Sequence, residues 1–260
     1  MGTAGVRFQP LNAALGASEP PDQALLMECA RKYHPEIKTL AVGFYDFQLT
    51  KEEHLRPADL TGNHIVGIQN SIPLSEVADI YQMHGLERLQ LSLLRAIPMA
   101  TNRKNIWKYV ELMRRKMGEV GMPHQATNSM GRASDFSALE AGSPQRFDAE
   151  AEDFLRNPSR FNSSYERIFA QAMQAHMRVV LILMPMSPSH RSLYYTRSSW
   201  TNYFTKLNEL ARQRGFTLID ASSWLPEEDQ FVDRLHMSPL GVPKFSFRVG
   251  IKLAELQQGI

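Results

Sequence analysis

Six consecutive apolar residues, Val179-Val180-Leu181-Ile182-Leu183-Met184, constrain the fold of this chain more than any other stretch. The run is far too short to span a bilayer. Val179, Val180 and Ile182 are β-branched, which favours an extended backbone. Being apolar at every position, the segment reads as a strand covered on both faces, as a central parallel strand is. Parallel neighbours need long crossovers, usually helices, and the flanks supply them. Asn162 to His176 reads as a helix with Asn162 or Ser163 as its cap, and Ser199 to Arg214 as another, closed by Gly215. Shorter strands are expected at Ile37–Gly43 and Phe216–Asp220. Asp22–Tyr33, set between Pro20-Pro21 and Pro35, and Leu240–Leu256 read as further helices. Right-handed crossovers would lay the strands in one parallel sheet with helices on both faces, a three-layer α/β/α architecture. Sites in such sheets form beyond the carboxyl ends of the strands, where Gly43, Pro185 and Asp220 fall.

Length and charge narrow the possibilities further. The chain has 260 residues, 43% of them hydrophobic, which suits one α/β domain over residues 1–260. Lys plus Arg is 29 against 27 for Asp plus Glu, and a net charge of +2 gives no case for a nucleic-acid partner. Cys29 is the single cysteine, so an internal disulfide framework and a cysteine zinc cluster are excluded. Its helical spacing from Leu25, Leu26 and Tyr33 suggests a buried structural thiol. The N-terminus has no apolar run of the signal-peptide kind. Residues 75–147 read as a helical and loop insertion. Within it Leu86 to Met117 is helical with a break near Pro98, and Gly118 to about Gly142 is a long loop. The basic, leucine-rich helices are read as a cover over the site in preference to a membrane-binding surface. The histidines at 34, 54, 64, 84, 124, 176 and 190 show no ligand spacing, and glycine-rich phosphate loops are missing, so neither a metal nor a nucleotide cofactor is expected. His64 and His190 follow turn-like segments near strand ends and are within reach of a pocket, although a plain loop histidine is the simpler reading of each.

The stretch that carries chemistry is Phe231-Val232-Asp233-Arg234-Leu235-His236-Met237-Ser238, followed by Gly241 and an amphipathic helix. An Asp three residues before a His in a loop can fold back and hold one imidazole nitrogen. The other nitrogen is then left to take a proton from a nucleophile and return it to a leaving group. A bare D-x-x-H is common. This one stands after the last strand and before the last helix, where an α/β site belongs.

The run D-R-L-H-M-S-P-L-G with its closing helix resembles the last conserved block of the SGNH (GDSL-type) hydrolases. Its style is that of the branch containing the teichoic-acid D-alanylation protein and related surface-polymer acyltransferases. Leu15-Gly16-Ala17-Ser18, after Asn12, resembles the second block, whose Gly gives a backbone N–H to the oxyanion. Gly43-Phe44-Tyr45-Asp46 resembles the third block, G-x-N-D. The resemblance implies an esterase or O-acyltransferase acting on an acylated carbohydrate or cell-surface polymer through a Ser–His–Asp mechanism. His236 would be the base and Asp233 its orienter. Gly16, Tyr45, Asp46 and Asn63 would serve the oxyanion or substrate. It also implies a cell-envelope or periplasmic setting and a membrane acyltransferase as a partner, with no cofactor. Two departures stand. Tyr45 occupies the place of the oxyanion Asn, with Asn63 in Leu60-Thr61-Gly62-Asn63-His64 as a substitute. The strand and G-D-S turn that present the family's nucleophile have no counterpart before residue 12. Either Gly2-Thr3-Ala4-Gly5 is a relic of that turn, or the chain starts after it and Ser18 is the only serine nearby. The same resemblance allows a non-catalytic domain that has lost its nucleophile and binds a glycan or a partner.

Overall fold

The strand expected at Val179 begins one residue earlier, and Arg178–Leu183 (β2) lies at the centre of a three-stranded parallel sheet. In this computed structural model, residues 20–52, 72–96 and 144–258 are described. Thr39–Phe44 (β1) pairs with one side of β2, Val42 opposite Leu181, and Thr217–Asp220 (β3) with the other, Leu218 opposite Leu181. Among the described residues the helices are Pro20–Tyr33 (α1), Leu74–Ile80 (α2), Leu86–Ala96 (α3), Pro144–Arg156 (α4), Ser163–Gln174 (α5), Ser198–Gln213 (α6) and Gly241–Gln258 (α7). The chain is therefore α/β with a parallel sheet.

Strand β2 shows why an uninterrupted apolar run was needed. Val179, Leu181 and Leu183 enter one hydrophobic cluster with residues of α1, α4, α5 and α6. Val180 and Ile182 point the other way, into a second cluster closed by Phe245, Val249, Leu253 and Leu256 of α7. Both faces are dry, so a polar residue at any of these positions would bury unpaired polar atoms. Strand β1 is different: Val42 and Phe44 are buried on the first face, while Ala41 and Gly43 on the opposite face are exposed.

Local chemistry sets the helix ends. Asn162 caps α5, its side chain accepting from Tyr165 N at 3.0 Å. Gly215, with φ +73°, ends α6 in a left-handed turn in which Phe216 N donates to Ala211 O at 2.9 Å and Gly215 N to Arg212 O at 3.1 Å. Asp22 does more than charge the first turn of α1. It is buried and accepts a hydrogen bond from the buried Tyr81 hydroxyl. Burial first, then the negative charge of Asp22, holds that hydroxyl far above the ordinary tyrosine range. Cys29 is half-buried against the first cluster.

Two helices were not expected from the sequence, α2 and α4. In α4, Phe147, Ala151 and Phe154 are buried at spacings that form one face of a helix. In α3, Leu91 is buried whereas Leu86, Leu89 and Leu93 are exposed. The remainder of the helix expected to run to Met117, and the long loop expected up to Gly142, lie outside the described residues.

Candidate functional site

The D-x-x-H segment lies in a tight loop built by its own backbone. Phe231 and Met237 form an antiparallel bridge, and Val232 N donates to His236 O at 2.8 Å. Ser238, almost fully buried, ties the loop's base. Its N–H reaches Gln230 O at 2.8 Å and its hydroxyl donates to Asp229 O at 2.8 Å. Its carbonyl then accepts from Gly241 N at 2.9 Å at the start of α7. Gly241 is required by space: a Cβ there would lie 2.3 Å from Gln230 O, a backbone atom that cannot swing aside. The Ser238 and Gly241 of the motif thus hold the loop that carries Asp233 and His236.

Inside this loop Asp233 turns back on the chain. Its Oδ1 accepts from Leu235 N at 2.8 Å and His236 N at 2.6 Å, an Asx-type turn. Its Oδ2 lies 2.7 Å from His236 Nδ1. Burial alone would raise the Asp233 carboxyl. The hydrogen bonds from the His236 backbone and ring and from Leu235, with the His236 charge, outweigh it and hold the carboxyl below its ordinary value. The imidazole is 74% exposed and the carboxylate only 20%. The ring is held at Nδ1, and among the described residues Nε2 makes no hydrogen bond, an arrangement chemically able to accept and return a proton.

Backbone hydrogen bonds bring the strand-end loops together at this end of the sheet. Met184 N donates to Phe44 O at 2.8 Å, Met186 N to Ser222 O at 3.1 Å, and Ser187 N to Arg234 O at 3.2 Å. The segments after β1, β2 and β3 and the Asp233 loop are therefore linked in series. Tyr45 lies at this end of β1 and is 44% exposed. Gly16, Ser18 and Asn63 lie outside the described residues.

Asp46 has a different set of partners. Its backbone has φ +42°, a left-handed conformation that Asp tolerates better than most residues. Its Oδ1 lies 3.0 Å from His190 Nε2 and accepts from Tyr195 Oη at 2.8 Å, and its carbonyl accepts from Tyr203 Oη at 3.3 Å. His190 is 1% exposed and is packed against the rings of Tyr194 and Tyr195, and Tyr195 stacks on Trp200 with centroids 4.0 Å apart. Burial first, then the charge of Asp46, places the Tyr195 hydroxyl well above the ordinary range. These residues arrive on a helical turn, Pro188–His190, capped by the Ser187 side chain and continued by a π-helical turn, Arg191–Tyr195. The wider turn directs His190, Tyr194 and Tyr195 inward. His190 was read from the sequence as a loop histidine near the site. The partner that fixes it is 144 positions away in the chain, and no local pattern signals it.

No family model, no curated protein and no solved structure matches this chain. Among the described residues no group of three or more His, Cys, Asp or Glu is arranged to hold a metal, and no helix is long and apolar enough to cross a membrane.

Proposed function

We propose that this chain is an SGNH-type esterase or O-acyltransferase, acting on an acylated carbohydrate or cell-surface polymer, with His236 as general base and Asp233 as its orienter. The carrying observation is the 2.7 Å contact between Asp233 Oδ2 and a His236 ring whose side chain is 74% exposed. In this reading Nε2 takes the proton of a serine hydroxyl as that oxygen bonds to the acyl carbon. It then gives the proton to the departing alcohol as the ester bond breaks. Water or an acceptor hydroxyl reverses the sequence and frees the acyl group. The three-layer α/β/α arrangement of that superfamily suits the parallel sheet, its two apolar faces and the position of the D-x-x-H loop after the last strand. Gly16, Tyr45 or Asn63 would supply oxyanion donors, Ser18 would be the candidate nucleophile on the sequence resemblance alone, and a membrane acyltransferase would be the partner if transfer prevails over hydrolysis.

A second reading, a binding domain without catalysis, is favoured by one observation. Among the described residues no hydroxyl is hydrogen-bonded to His236. Turnover of p-nitrophenyl acetate by the full chain separates the two. The enzyme reading expects turnover that disappears in His236→Gln, and loss in Ser18→Ala as well would identify the nucleophile. Turnover absent, or unchanged in His236→Gln, leaves the binding reading.

A further inference from the structure

Arg234 stands between Asp233 and His236 in the loop, and its guanidinium is unmatched. Nε and Nη1 are both buried, and neither has a hydrogen-bond partner among the described residues. A buried cation left unpaired is costly, because water is gone and nothing replaces it. The carboxylates of this loop and of the strand-end segments have other partners. Asp233 accepts from the backbone of Leu235 and His236 and holds the His236 ring. Asp220 accepts from the Ser222 N–H and hydroxyl. Glu228 accepts from the N–H and hydroxyl of Ser189. The Arg234 backbone is itself fixed, its carbonyl accepting from Ser187 N at 3.2 Å, so the side chain starts from a set position. The residue as a whole is half-buried, so part of its side chain meets solvent although Nε and Nη1 do not.

We infer that Arg234 is a specificity residue that receives an anionic oxygen group, carboxylate or phosphate, on the substrate next to the acyl ester. A planar guanidinium donates to two oxygens of such a group at once, and the low local dielectric strengthens the pair. The loop would then orient the substrate by the same segment that carries the base. This rests on the reading of Asp233 and His236 as the reacting pair, but anion binding at Arg234 is measurable without turnover.

The test follows the arginine Nε–H resonances of the full chain by NMR during titration with inorganic phosphate and, separately, acetate, with chloride as control. The Arg234 signal, assigned by its loss in Arg234→Gln, is expected to shift and saturate with phosphate or acetate, in wild type and in His236→Gln alike. Which anion saturates at lower concentration distinguishes a phosphate from a carboxylate ligand. An Arg234 signal unmoved by both anions overturns the inference. Turnover gives a second readout that does not depend on the assignment: relative kcat/KM for acetylsalicylate over phenyl acetate. Arg234→Gln should lower that ratio by about tenfold or more, the size of a charge-assisted hydrogen bond, with Arg234→Lys intermediate. A ratio unchanged in Arg234→Gln also overturns it. If wild type turns over neither ester while the resonance still shifts, the hydrolase reading fails and the anion site stands.

Discussion

Asp46–His190 and Asp233–His236 both lie beyond the carboxyl ends of the strands, with contacts of 3.0 Å and 2.7 Å, and they differ in almost everything else. His190 is 1% exposed, meets its carboxylate through Nε2, and has a buried Nδ1 without a partner among the described residues. His236 is 74% exposed and meets its carboxylate through Nδ1. Asp46 joins elements distant in sequence: β1, the π-helical turn and, through its carbonyl, α6. Asp233 is served by neighbours within three residues. The first pair holds strand-end segments together, and its imidazole is sealed from solvent. The second can orient an imidazole at the surface without the fold depending on it. An Asp–His contact alone does not separate a structural pair from a candidate for proton transfer; the exposure of the imidazole side chain, 1% against 74%, sets these two apart.

Exchanging the two histidines tests the contrast most strongly. On the catalytic reading His236→Ala should lower ester turnover by at least about a thousandfold while leaving the urea midpoint near wild type. His190→Ala should do the reverse. It removes a buried ring and strands Asp46 beside a cavity, at about 2–4 kcal/mol of stability. Urea unfolding and p-nitrophenyl acetate turnover, measured on both variants, give the four values. Equal loss of stability in both would erase the distinction.

A smaller effect tests how firmly the exposed pair is held. Gly241→Ala should destabilise by about 1–3 kcal/mol, because its Cβ would meet the Gln230 carbonyl and one side must move. That carbonyl also accepts from Ser238 N, so the strain should reach the loop and appear as shifts in the Asp233–His236 amide resonances. An Ala variant as stable as wild type would mean that the loop is not clamped there.

The smallest expected effect is on acid stability. The Asp233 carboxyl is held below its ordinary value of 3.8 in the folded chain. Its contribution is therefore complete above the unfolded value and is lost as pH falls through the folded one. Wild type should exceed Asp233→Asn in unfolding free energy at neutral pH, and the gap should close in acid below the ordinary carboxylate range. A gap independent of pH would show that Asp233 acts through shape and not charge.

These two pairs also show what the chain made legible in its sequence. The apolar run at Val179 announced the central strand, and Asn162 and Gly215 announced helix ends, because caps and burial act within a few residues. Asp233 and His236 were readable for the same reason, since a carboxylate three residues before a histidine needs only a turn. The Asp46–His190 pair was hidden because its two halves meet only after the sheet has formed. The unmatched guanidinium of Arg234 was hidden too, since burial of its nitrogens depends on what covers the loop. Helix α4 does carry a local signal: Phe147, Ala151 and Phe154 repeat at helical spacing after Pro144, a residue suited to a first helical turn.

The central claim is that Asp233 sets His236 in the tautomer that leaves Nε2 free to accept a proton. Long-range ¹H–¹⁵N correlation of the His236 ring, in the full chain above the pH at which the ring is charged, reads the tautomer directly. The account predicts a proton on Nδ1 and a bare Nε2 in wild type, with a substantial Nε2–H population in Asp233→Asn, where the amide no longer favours a donor. A proton on Nε2 in wild type, or a tautomer ratio unchanged by Asp233→Asn, would contradict it.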